Sequence, residues 1–207
     1  MKQGKTNYKK SALTRQRIFD AALEIMMDVG YQGATIRAIC AGAHVSPATF
    51  YLYYESKSDL LKIFFQNSDQ YFGNELYKKL ENMSFAEQYR EYVRAYAQLN
   101  IDTGLRAMRV LYNPENVWFS EYRPMQAALE LILTNGRRAG VLPKSLSTDE
   151  CVRSVFAVLR GVCFDWCIYN GEYDLSAVMV REAERFLRGL MSERSDEDSR
   201  AGQLKTP

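Results

Sequence analysis

The chain has one histidine, His44, among its 207 residues, and that scarcity removes most imidazole chemistry. A His-dependent catalytic triad would have to use this residue, and a His-bound metal would find no second imidazole. An enzyme is therefore not expected. Cysteines number 4 (Cys40, Cys151, Cys163, Cys167), too few for a disulfide framework at this length. Cys163 and Cys167, four apart on one helical face, read as small buried hydrophobes. Neither a metal nor a cofactor is expected. The N-terminus lacks the apolar run of a secretory segment, so a reduced, cytoplasmic protein is the expectation. No stretch reaches the ~18–20 uninterrupted apolar residues of a membrane span. Prolines number only 5, and there is neither a convincing strand nor an internal repeat.

What remains is an ordinary globular composition, 47% apolar and 25% charged, rich in helix formers. The length suits one or two domains. Net charge is only +2, yet residues 1–19 hold Lys2, Lys5, Lys9, Lys10, Arg15 and Arg17 and no carboxylate. Such an arm can follow a phosphate backbone or enter a minor groove; a solvated tail is an equally good reading.

The most informative stretch is Thr35 to Leu60, TIRAICAGAHVSPATFYLYYESKSDL. Thr35 is placed to cap a short helix with Ile36 and Ile39 on its apolar side. Ala41 to Val45 is a turn of small residues. Ser46-Pro47 then opens a second helix, with serine as N-cap and proline at the first position, where a missing N–H costs nothing. Its leading end is small (Ala48, Thr49) and aromatics follow. Small residues there can approach base edges in the major groove, while tyrosine hydroxyls and a following lysine reach phosphates.

Thr35-Ile36-Arg37, Val45-Ser46-Pro47-Ala48-Thr49-Phe50-Tyr51 and Ser56-Lys57 before Leu60 occur in order, within a match from about Thr14 to Leu61. On these pieces the chain resembles the TetR/AcrR family of bacterial transcription regulators. Beyond them it resembles the family only in length and helical layout. Two positions depart from the pattern. His44 stands where the family usually has a turn glycine, and histidine tolerates positive φ better than most residues. Tyr53-Tyr54 stands where a His or Tyr followed by Phe is common, and Tyr54 is expected in the core with its hydroxyl at the edge.

The resemblance carries DNA contacts over residue by residue. Thr35 would offer its N–H and hydroxyl to a phosphate at a helix N-terminus, and Arg37 would reach a guanine or a phosphate. Ser46, Pro47, Ala48 and Thr49 would face the groove, with Ala48 and Thr49 able to meet a thymine methyl. Tyr51, Tyr53 and Lys57 would bind phosphates.

Along the rest of the chain the pattern is helical. Helix 1 is expected from about Thr14 to Val29, with Ile18, Ala22, Ile25, Met26 and Val29 on one stripe and Gly30 ending it. A long amphipathic helix is expected from about Lys57 to Leu80. Ser84 with Glu87, and Ser147 with Glu150, have capping-box spacing. Pro124 fits the first turn of another helix. The helix from Thr148 to Tyr169 is apolar on more than one face, which asks for a second cover. With the final helix (Val178, Phe186, Leu190) it could form half of a four-helix dimer bundle. The alternative is a central helix of a monomeric core. Residues 192–207 have little to bury and are expected to be disordered.

Tyr92, Tyr96, Met108, Tyr112, Trp118, Phe119, Met125, Trp166 and Tyr169 form a candidate ligand-binding set, since aromatic and methionine linings suit apolar or aromatic effectors. Taken singly, each is more often core. Arg106 and Arg109 could neutralise an anionic ligand and are more often solvated. The expected fold is all-α: a basic arm and three-helix helix-turn-helix DNA-binding domain (1–56), then a helical effector-binding and dimerisation domain (57–191). The expected function is a ligand-responsive regulator, a repressor, binding a palindromic double-stranded DNA operator as a homodimer through its last two helices. A small effector would release it. The competing class is a helical dimeric interaction protein without sequence-specific DNA binding.

Overall fold

The computed structural model describes the backbone of residues 2–112, 122–143 and 147–203, and their side chains apart from residues 2–10, 63–65, 67 and 193–203. Among the described residues there are ten α-helices and no strand. They are α1 (Lys2–Gly33), α2 (Ile36–Gly42), α3 (Pro47–Tyr51), α4 (Lys57–Gln70), α5 (Leu76–Leu80), α6 (Phe85–Thr103), α7 (Leu105–Leu111), α8 (Pro124–Arg138), α9 (Thr148–Ile168) and α10 (Leu175–Gln203). A π-helical turn, Tyr71–Glu75, separates α4 from α5. The expected unbroken helix over 57–80 is thus interrupted, by a one-turn bulge of the kind that lets a helix change register.

The chain divides into two compact units. The first is Met1–Gln66 with Arg106–Phe119; the second is Asn67–Leu105 with Ser120–Pro207.

In the first unit α1 packs on α2, and α2 on α3. Ile18, Ala22 and Met26 are buried as the stripe requires, joined by Ala21. Val29 is exposed, contrary to expectation. The reason is where α2 sits: a Cβ at its Gly42 would lie 3.4 Å from that of Ala21 and 3.5 Å from the Ile25 side chain. The helical path breaks at Gly30 (φ 73°), as its lack of a Cβ permits. At the other end α1 runs back to Lys2, well beyond the expected start near Thr14. Arg106 of α7 pairs with Glu24 at 3.5 Å and donates to the Met27 sulfur.

In the second unit α10 packs on α6 and α9, and α8 on α6, α9 and the π turn. Both capping boxes form. Ser84 and Glu87 exchange bonds at the start of α6, as do Ser147 and Glu150 at the start of α9. Asp174 accepts from the Ala177 N–H and caps α10. Buried Arg123, 6% exposed, holds Asp69 at 2.7 Å and the Ser68 hydroxyl at 3.0 Å. Asp69 is itself a third exposed, so losing one partner costs less than the ~3–5 kcal/mol of a fully buried pair. Gly136 is a close approach: a Cβ there would fall 2.4 Å from the Phe85 ring. Asn170 (φ 52°) and Gly171 (φ 75°) make the expected break after α9. The backbone stays helical to Gln203, where disorder from Ser192 was expected. The segment SERSDEDSRAGQ lacks proline, so no residue in it removes a backbone donor from the helix. Among the described residues no helix is long and apolar enough to cross a membrane, and no cluster of three ligating side chains could hold a metal.

Candidate nucleic-acid interface

The two short helices of the first unit are held by local bonds that the sequence encodes. Thr35, in extended conformation, accepts the Ala38 N–H on its hydroxyl at 3.1 Å and caps α2. α2 closes with a Schellman turn: the Val45 N–H reaches the Cys40 carbonyl at 3.0 Å, and the His44 N–H reaches Ala41 at 3.1 Å. His44 takes the left-handed position with φ 52°, the conformation in which a glycine would be unstrained. Ser46 accepts the Thr49 N–H at 3.1 Å and caps α3, with Pro47 at its first position.

Phe50 is wholly buried and anchors α3 from below, while Tyr54 packs beside it with ring centroids 5.7 Å apart. The Tyr54 hydroxyl donates to the Arg15 carbonyl at 3.2 Å, tying the end of the motif to α1. Burial raises the Tyr54 pKa, an effect partly offset by the positively charged Arg15 side chain. Ser46, Pro47 and Ala48 are exposed and Thr49 is half-buried, so the leading end of α3 presents small groups to solvent. Tyr51 is 56% exposed and meets Phe50 edge to face, which fixes its ring while leaving its hydroxyl outside. Thr35 and Arg37 are exposed, and Tyr53 is half-buried.

Lys57 is placed differently from expectation. Its ammonium donates to the Tyr31 carbonyl at 2.5 Å and to Gln32 at 3.4 Å, and lies over the Tyr31 ring at 4.3 Å. It closes the end of α1. Of three donors, two are spoken for. Sequence reasoning also passed over Leu52, 81% exposed directly after α3, because a lone apolar residue outside any periodicity carries no signal.

The candidate effector residues are divided between the two units. Tyr92, Tyr96, Met125 and Trp166 are buried in the second unit. Tyr92 donates to the Met125 carbonyl at 2.9 Å, Tyr96 meets Phe156 edge to face at 5.8 Å, and the Trp166 indole donates to the Tyr173 carbonyl. Burial holds the Tyr92 hydroxyl well above its ordinary pKa. Met108 and Tyr112 belong to the first unit. Tyr169 is 55% exposed at the C-cap of α9, against Tyr173, and lines no interior: the helix ends there and turns it outward. Trp118 and Phe119 lie outside the described residues.

A capped helix, a tight turn and a second capped helix with an exposed small leading edge define a helix-turn-helix DNA-binding protein. Residues 18–62 match the bacterial regulatory proteins of the tetR family. Over 198 residues the chain is 23% identical to the fatty acid metabolism regulator protein of Bacillus subtilis (strain 168), covering 92% of this chain and 98% of that one. The structure of FadR from Bacillus subtilis, a transcriptional regulator solved with stearoyl-CoA, is similar with TM-score 0.65 and 21% identity, covering 84% and 98% of the two chains. FadR of Thermus thermophilus, a TetR-family repressor solved with lauroyl-CoA, is similar with TM-score 0.56 and 25% identity, covering 84% and 92%. Residues 18–62 thus carry a tetR-type helix-turn-helix, and over nearly its whole length the chain is similar to ligand-responsive transcriptional regulators.

Proposed function

We propose that this regulator represses transcription by holding a palindromic operator as a homodimer, and that an amphiphile with a long hydrocarbon chain, of the fatty acyl-CoA class, releases it. The DNA half of the reading is carried by the exposed leading edge of α3, Ser46-Pro47-Ala48, set on the buried Phe50. Ala48 and Thr49 read base edges, Thr35, Tyr51 and Tyr53 bind phosphates, and Arg37 reaches a base or a phosphate. Lys57 has one remaining proton for a phosphate beside its two carbonyls.

The dimer is read from α9. Phe164 (54% exposed) and Ile168 (58% exposed) stand with exposed Gly161 on the side away from buried Leu159, Cys163 and Trp166. That face and half-buried Val178 and Phe186 of α10 suit a four-helix contact between two copies. Two heads would then meet half-sites about 34–36 Å apart.

The effector class rests on the relatives solved with lauroyl-CoA and stearoyl-CoA, and on the apolar interior around Tyr92, Tyr96, Met125 and Trp166. The protein acts by binding, without turnover, in the cytoplasm. Selection from a random duplex pool should enrich an inverted repeat, and added palmitoyl-CoA should release the selected duplex. A folded, dimeric protein that enriches nothing would sink the operator reading. Selected DNA that stays bound at saturating acyl-CoA would sink the effector reading.

A further inference from the structure

Three consecutive residues at the start of α8 have three different partners. Arg123, the N-cap, is buried and holds the end of α4: its guanidinium donates to the Asp69 carboxylate at 2.7 Å and to the Ser68 hydroxyl at 3.0 Å. Pro124 abuts the π turn, where a Cβ on Gly73 would lie 3.4 Å from the proline ring. Met125 accepts the Tyr92 hydroxyl on its carbonyl at 2.9 Å. The circuit closes within the second unit, because the Tyr92 ring meets Phe72 of the π turn edge to face at 5.4 Å.

The pattern from Lys57 to Leu80 predicts an unbroken helix, yet the Leu76 N–H bonds to the Tyr71 carbonyl, five positions back. Such a turn is one extra residue in an α-helical path, and a shift of the surrounding backbone can absorb it or restore it. Here α8 holds it on two sides, through Ser68 and Asp69 just before the turn and Gly73 within it. Phe72 and Leu76 are wholly buried, so the turn is fixed while the start of α8 stays in place.

Tyr92 and Met125 also belong to the apolar interior assigned above to the effector's hydrocarbon. A chain entering beside them displaces the Tyr92 ring or the backbone that its hydroxyl bonds. Packed interiors switch between arrangements rather than deform smoothly. Either displacement moves the first turn of α8, and with it the arginine on the end of α4. That helix begins at Lys57 in the first unit and ends at Gln70 in the second, so a change at its end is carried along one helix.

We infer that Arg123 is the positioning residue through which effector occupancy reaches α4, with the π turn Tyr71–Glu75 as the element that yields. This rests on the acyl reading above and adds to it the route from ligand to DNA-binding unit.

The test uses the full chain, its selected operator duplex and palmitoyl-CoA. Wild type, Asp69→Asn, Asp69→Glu and a chain lacking Asn74 are compared. Melting temperature and palmitoyl-CoA affinity, by tryptophan fluorescence, are measured for each. The deciding quantity is the release factor, the ratio of duplex Kd at saturating palmitoyl-CoA to duplex Kd without it. Asp69→Asn removes the charge that Arg123 holds. Deleting exposed Asn74 takes the extra residue out of the turn and keeps the flanking helix in register.

We expect both changes to leave palmitoyl-CoA affinity within about threefold and to cut the release factor about tenfold, a loss of ordinary coupling size. Asp69→Glu, which keeps the charge, should recover part of it. A lower melting temperature with a wild-type release factor would make Arg123 a structural clamp and overturn the route. Palmitoyl-CoA affinity falling in step with release would also overturn it, since the clamp would then shape the binding site. A wild-type chain that palmitoyl-CoA does not release overturns the acyl reading and the route together. If Asp69→Asn fails to fold, the Asn74 deletion decides alone, and a wild-type release factor there overturns the route.

Discussion

The ammonium nitrogen of Lys57 stands 2.5 Å from the carbonyl oxygen of Tyr31 and 4.3 Å from the centre of the same residue's ring. The first residue of α4 thus caps the last carbonyls of α1, 26 positions earlier in the chain. Cations belong at helix C-termini, where the unsatisfied carbonyls carry partial negative charge.

Lys57→Met should therefore lower the stability of the DNA-binding unit by about 1–3 kcal/mol, through loss of a charged bond and a ring contact. Chemical denaturation followed by circular dichroism would measure it. If Lys57 also holds a phosphate, the salt dependence of operator binding falls by about 0.9 in log–log slope per contact. An unchanged slope with reduced stability would confine Lys57 to capping.

The exposed edge of α3 separates two kinds of residue. Tyr51→Phe removes only a hydroxyl and should weaken binding about equally on every duplex. Ala48→Ser or Thr49→Ala should instead change base preference at one position, by about 1–3 kcal/mol. Competition between operator variants distinguishes them. A uniform loss from the Ala48 or Thr49 changes would mean that α3 does not read bases.

At His44 the backbone is left-handed, with φ 52°. His44→Gly should raise stability or leave it unchanged within about 1 kcal/mol, while His44→Val should cost about 1–2 kcal/mol. Equal melting temperatures for the three proteins would contradict the strained turn.

Gly136→Ala would drive a methyl to 2.4 Å from the Phe85 ring. Overpacking of this kind costs about 1–3 kcal/mol. Because Phe85 stacks on Tyr89, relief has to come from the same ring: Phe85→Leu together with Gly136→Ala should be closer to wild type than the sum of the single changes. Additive losses in a double-mutant cycle would show that the two sites are independent.

Tyr89 and Tyr92 have hydroxyls held above the ordinary tyrosine pKa, chiefly by burial, while each donates to a backbone carbonyl. A folded-state pKa above the unfolded value of about 10 means that the neutral phenol contributes stability present below pH ~10. That stability is lost as pH rises through the folded value. Phenolate absorbance should therefore rise in two stages, the second coinciding with loss of helical signal. A single titration with the helices intact would disprove the burial of these hydroxyls.

Sequence alone determined the local structure. Ser46, Ser84 and Ser147 cap helices because their partner N–H groups lie three residues on, a distance set by the chain itself. The turn at His44, the break at Asn170-Gly171 and the buried Ile18, Phe50 and Tyr54 follow from the same short-range chemistry. Tertiary structure decided everything that joins distant residues: Lys57 on Tyr31, Arg123 on Asp69, and Tyr92 on Met125. It also turned Tyr169 and Val29 outward. Helical periodicity says only that one side of a helix is apolar. Which helix covers that side, and which long polar side chain reaches across the contact, depends on how whole helices pack.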